Sequence, residues 1–202
     1  MSWEPATSAT PVTKEMDEAF WKDYVERVLD PGEGSYQKDL VRFFFGQRNA
    51  MQDKVDAWLR KQEKDAPSVE RAIKINVAEI LFDVDADTER LAEISRKTVK
   101  SQLKASERKL KEELGGLVNW NVTDEMVDKY VKRRTKMYKE INTTTFKKCK
   151  TDIAKVVDEA MANNWTPQET AKAIKQAIGH VGEIRRNQSK TIARTEIGTI
   201  TS

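Results

Sequence analysis

Apolar side chains recur three and four positions apart along most of this 202-residue chain, and nowhere is there sustained alternation at every second position. Three-and-four spacing gathers apolar groups on one face of a helix, whereas a half-buried strand needs a period of two. The fold class expected is therefore all-α: long antiparallel helices followed by a small helical domain. Only 117–122, a connector containing Trp120, leaves room for a short hairpin.

The stripes and breaks divide the chain. Residues 1–13 are rich in Ser, Thr, Pro and Ala and read as a flexible lead-in. A helix fits 14–29, with Met16, Phe20, Tyr24 and Val28 in register, and Asp30-Pro31-Gly32-Glu33-Gly34 is expected to stop it. A longer helix fits 36–64 and should fold back on the first as an antiparallel pair. Its Phe43-Phe44-Phe45 run cannot lie on one face; packing against a third helix is preferred over a docking patch. A short helix fits 69–82. The next, over about 88–114, carries a narrow stripe of Leu91, Ile94, Val99, Leu103, Leu110 and Leu114, suited to one or two neighbours or to a seam between copies. Gly115-Gly116 should end it. Further helices fit 124–140 and 143–162. Thr166-Pro167-Gln168-Glu169 has the form of a capping box, and the helix it starts should end at Gly179, with His180 in the following turn.

Several chemistries find no support. Asp83-Val84-Asp85-Ala86-Asp87 begins like a calcium loop, but Thr88 and Ile94 stand where the Gly and the bidentate Glu are needed. Asp85, Asp87 and Thr88 read better as caps of the next helix. One His and one Cys make no zinc cluster, and there is no phosphate loop, dinucleotide fingerprint or nucleophile elbow. No enzyme activity, metal or cofactor is expected. Cys149 lies on an apolar face and should be a small buried group; alone, it suits a reducing cytoplasm. No run of about 18 apolar residues suggests a membrane span, and the N-terminus lacks the pattern of a signal peptide.

Charged residues make up 34% of the chain, yet the formal net charge is only +3. They are unevenly placed. Lys132, Arg133, Arg134, Lys136, Lys139, Lys147, Lys148 and Lys150 face Glu140 alone within 132–150, and Arg185, Arg186, Lys190 and Arg194 form a second cluster. On a common surface these could meet phosphates. A solvated face, or one meeting an acidic protein, is the preferred reading, because the cations do not interleave with aromatics as a base-stacking platform would.

The last helical stretch ends in Ile192-Ala193-Arg194-Thr195-Glu196. Residues two apart do not share a helix face, so Arg194 and Glu196 must each find a separate partner. With the polar, Arg-rich residues before it, this segment resembles the end of the phage Mu F-like minor head protein domain, also called the phage head morphogenesis domain. Ile141-Asn142-Thr143-Thr144-Thr145 resembles that family's Asn-x-Thr-Thr helix start, and Asn164-Trp165-Thr166-Pro167-Gln168-Glu169 resembles its turn before a short helix. The resemblance covers roughly 124–202. The family continues with an Ala, Asn and Gly where this chain stops at Ser202, so the expected division is 1–13, an N-terminal helical region over 14–82, and a head-morphogenesis-like domain over 83–202, truncated at its end.

What the resemblance implies is a virion structural protein in the head interior or at the portal vertex, present in the host cytoplasm during assembly. Its partners would be the portal, other head proteins, further copies of itself and packaged DNA. In some phages such a domain is fused to the portal protein, and Trp21, Pro31-Gly32 and the Phe-rich helix with Gln47 resemble the region preceding it there. Arg194, Thr195 and Glu196 would be its structural motif. The alternative is a nucleic-acid-binding helical module using Lys132, Arg133, Arg134, Lys136, Lys147, Lys148, Lys150, Arg185, Arg186 and Lys190.

Overall fold

The computed structural model describes residues 14–65, 75–114 and 119–200, and these are all-helical, with no strand. The 1–13 lead-in, residues 69–74 of the expected short helix, the Gly115-Gly116 stop and the first part of the 117–122 connector lie outside the described residues. The helices are α1 (Lys14–Tyr24), α2 (Asp30–Asp65), α3 (Val77–Ile80), α4 (Val84–Leu114), α5 (Asp124–Ala162) and α6 (Pro167–Ile200). None of them is long and apolar enough to cross a membrane.

The expected break at Pro31-Gly32 does not occur, so α1 and α2 do not fold back as a pair. They run end to end through a π-helical turn, Val25–Leu29, with helical dihedrals on both sides. The Asp30 N–H reaches back five residues to the Val25 carbonyl. A proline inside a helix lacks a donor, and its ring crowds the carbonyl four residues earlier. The widened turn immediately before Pro31 makes room for that ring and lets the rod continue.

Two more expected breaks vanish. The segments over 124–140 and 143–162 merge into α5, because Asn142 is fully buried and its side chain bonds across the bundle. Gly179 and His180 lie inside α6, not in a turn. Gly182 there is buried, and a methyl group on it would meet the Arg48 side chain at 3.1 Å. Close approach of α6 to α2 thus outweighs the weak helix propensity of glycine, about 1 kcal/mol.

Other ends follow local rules. Thr166 and Glu169 form the expected capping box, with the Glu169 N–H on Thr166 Oγ1 at 3.2 Å and the Thr166 N–H on Glu169 Oε2 at 2.8 Å. Asn164 takes φ 55°, and the Trp165 N–H donates to the Ala160 carbonyl, which closes α5. The α4 cap is Asp83, not Asp85, Asp87 or Thr88: its carboxylate accepts from the N–H groups of Asp85 and Ala86. Within the described part of the expected short helix, the helical turn is Val77–Ile80, capped by Asn76. Ile80, Leu81 and Phe82 are all buried, which three successive helical residues cannot easily achieve, and Leu81 is extended. Residues 119–122 form no hairpin strand.

Two apolar clusters fill the bundle. One joins Tyr36, Leu40, Phe43 and Phe44 of α2 to Leu91, Val99, Val127, Val131, Tyr138, Ala193 and Ile197. The other joins Met51 and Val55 to Ile80–Phe82, Cys149, Ile153, Ile174 and Ile178. Both draw on each side of residue 83. Between them lies a polar layer. Gln47 donates to Asp87 at 2.8 Å and to Asn142 at 2.9 Å, and Asn142 donates to Thr88 at 3.3 Å. Such a layer fixes register, since sliding a helix would bury these groups without partners. Phe45, the aromatic left over from the run, lies under the Arg48 guanidinium.

The buried face of α4 is more polar than its leucine stripe suggested. Ser95, Gln102, Ser106 and Lys109 are buried beside Leu91 and Val99. They meet the α1–α2 rod in antiparallel order: Tyr36 with Ser95, the Val28 carbonyl with Gln102, Tyr24 with Ser106 and Asp23 with Lys109.

Candidate functional site

The Ala193-Arg194-Thr195-Glu196 turn lies near the end of α6, where it crosses both α2 and α5. Ala193 is buried in the first apolar cluster and draws the helix inward. Glu196 is 1% exposed. Its carboxylate takes both arms of the Arg134 guanidinium, Nε at 3.2 Å and Nη2 in closer contact. Such a two-point pair is strong and directional. The Tyr130 hydroxyl approaches the same carboxylate and the Glu196 carbonyl, each at 3.4 Å. Arg134 is held more firmly protonated than usual, mainly by its bond to Glu196. Burial, reinforced by the Glu196 charge, raises the Tyr130 phenol. Burial likewise pushes the Tyr138 phenol up to about 12.

Arg194 faces outward and reaches Glu33 of α2, Nε to Oε2 at 3.3 Å. Thr195 is exposed, and its carbonyl accepts from the Thr199 hydroxyl at 2.7 Å. One turn of α6 therefore holds α5 through Glu196 and α2 through Arg194. The arrangement is a clamp. Its carboxylate is enclosed and engaged by Arg134 and by the Tyr130 hydroxyl.

The cations separate into three groups. Arg134, grouped with the exposed ones by sequence, is turned inward to Glu196. Lys132, Arg133, Lys136, Lys147 and Lys150 of α5 are exposed, and Lys148 pairs with Asp152 at 2.8 Å. At about 100° per residue, Lys132, Lys136, Lys147 and Lys150 fall within about 60° of one another. On α6, Arg185 is half-buried; its guanidinium donates to Gln188 at 2.6 Å, and burial lowers its pKa. Arg186 and Lys190 are exposed and line a groove against α2, not α5. The groove is completed by Lys38 and Arg42, which the sequence reading left out. Their spacing of four on one helix was the available signal.

The three acids of the calcium-like segment point to separate partners: Asp83 to backbone N–H groups, Asp85 to Lys139 and Asp87 to Gln47 and Arg90. No cluster of three or more His, Cys, Asp or Glu side chains suited to a metal occurs among the described residues. Cys149 is buried, and burial pushes its thiol up to about 11. Comparison with family models, with curated proteins and with solved structures returns no match for this chain.

Proposed function

We propose that this chain is a structural protein of a phage virion, associated with or fused to the portal, that assists head assembly and DNA packaging or delivery. The resemblance of its last helix and of its Thr-Pro-Gln-Glu cap to the head morphogenesis domain motivates this reading. The observation that carries it is the clamp: Arg194 and Glu196 spend their charges on Glu33 and Arg134, fastening helices together. A motif used in this way suits a part whose work is mechanical. Long helices present an extended surface, and copies arranged around a ring add weak contacts into a lasting assembly. The direct test is co-expression of the full chain with a phage portal protein, from the same genome where one is encoded there, followed by sedimentation and head isolation. Co-migration with the portal ring is expected, and Arg194→Ala should reduce incorporation into heads. Normal, infectious heads formed without the chain would remove the proposal.

A second reading, a nucleic-acid-binding module, is favoured by the exposed cations of α5 and α6. The two are compatible, since a protein inside a head lies against packaged DNA.

A further inference from the structure

The α2–α6 pair is antiparallel, and charge is distributed along it in an unusual way. Near one end Lys175 pairs with Asp56, and near the other Arg194 pairs with Glu33. Opposite charges across a helix pair are the ordinary arrangement. The groove between these ends breaks the rule. Lys38 and Arg42 come from α2, Arg186 and Lys190 come from α6, and no carboxylate lines the space they share. All four are exposed. Arg42 has a loose contact with Asp39 at 3.3 Å, whereas Lys38, Arg186 and Lys190 make no ion pair among the described residues. Four like charges facing one another repel, and a neutralising anion would relieve that repulsion.

We propose that this groove is a binding track for the phosphate backbone of duplex DNA. Each helix presents its two cations four residues apart, about 6 Å along the axis, so the groove offers a row of charge, not a point. Gln37 and Asn187 stand beside the cations and can donate to phosphate oxygens. No aromatic side chain lines the groove, so it lacks the stacking surface that single strands require. This inference rests on the nucleic-acid reading above and assigns it a place: the α2–α6 groove, with the α5 stripe outside it.

The test uses the full chain and a fluorescent 20-base-pair duplex of arbitrary sequence. Four phosphate contacts give a slope of log K against log salt of about −3.6, which is about a 100-fold loss of affinity between 50 and 200 mM. The variant Lys38→Gln/Arg42→Gln/Arg186→Gln/Lys190→Gln should bind at least about tenfold more weakly at 50 mM and flatten the slope by about 3.6. All four positions are on the surface, and circular dichroism should show the parent's helix content with a melting point at or above the parent's, since the mutual repulsion is removed. The comparison variant carries Gln at Lys132, Arg133, Lys136, Lys147 and Lys150 and should keep most of the affinity. If the groove variant binds as the parent does while the α5 variant fails, the groove assignment is wrong and the nucleic-acid reading stands. If the parent does not bind duplex at 50 mM salt, both are wrong.

Discussion

Gly32 and Gly34 stand two residues apart in α2, yet a methyl group added to each should act in opposite directions. Nothing lies within 4 Å of a Cβ at Gly34, so Gly34→Ala gains helix propensity alone, up to about 1 kcal/mol. A Cβ at Gly32 would overlap the amide oxygen of Gln102. That side chain is 3% exposed and donates to the Val28 carbonyl at 3.1 Å. Displacing it costs the hydrogen bond and strands a buried amide, about 1–3 kcal/mol, which exceeds the propensity gain. Thermal melts should show Gly34→Ala above the parent and Gly32→Ala below it, each by about 2–4 °C. Equal shifts for the two would mean that Gln102 does not occupy the space over Gly32. Cys149 belongs at this scale as well: buried, with its thiol raised to about 11, it should react with a thiol reagent only after unfolding.

Between elements, the decisive contact is Arg134 of α5 with Glu196 of α6. Arg134→Ala leaves a carboxylate buried without its cation, which costs about 3 kcal/mol or more in denaturant unfolding. Replacing both by apolar residues, Arg134→Met with Glu196→Leu, should restore most of that loss, because a buried pair is worth little against good packing. Arg134→Ala within about 0.5 kcal/mol of the parent would show that the clamp contributes nothing. How legible this was in the sequence depended on range. The spacing of Arg194 and Glu196 demanded separate partners, but nothing local pointed to Arg134, 62 positions away. Helices were legible from periodicity, and the capping box from its four residues. Their interruptions were not. Pro31, Asn142 and Gly179 all look like breaks, yet the helices run through each: Pro31 after a π turn, Asn142 with partners on other helices, and Gly179 inside an α6 whose nearby Gly182 lies against the flank of Arg48. The polar seam of α4 was hidden for a related reason, since Ser95, Gln102 and Lys109 look like solvent-facing residues until their partners on the α1–α2 rod are known. The α2–α6 groove likewise needed two helices to be brought together before its four cations could be recognised.

For the molecule as a whole, titration should bound stability on both sides. Bonds to Lys109, Lys111 and Lys100 lower the pKa values of Asp23, Glu107 and Asp124, and backbone N–H groups lower those of Asp83 and Glu169. A carboxylate lowered by folding adds stability that is fully present above its unfolded pKa and is lost as pH falls through the folded value. Tyr36, Tyr130 and Tyr138 are raised, chiefly by burial, so their contribution is present below about 10 and fades as pH climbs toward their folded values. Melting temperature should be flat from about pH 5 to 9, dropping below about 4 and above about 10, with tyrosinate absorbance appearing together with the loss of helix. A marked slope between pH 6 and 8 would contradict this assignment. The π turn has a consequence of its own for the geometry of the rod. In an unbroken α-helix, Tyr24 and Tyr36 would point about 120° apart. The extra residue taken up by the wider turn removes about 100° of that, bringing both rings onto the one side where Ser106 and Ser95 wait. Val25–Leu29 is thus a phase adjustment: shortening the chain there by one residue, with Pro31→Ala to permit ordinary winding, would leave both tyrosines aimed at α4, whereas the same deletion elsewhere between them would turn one away.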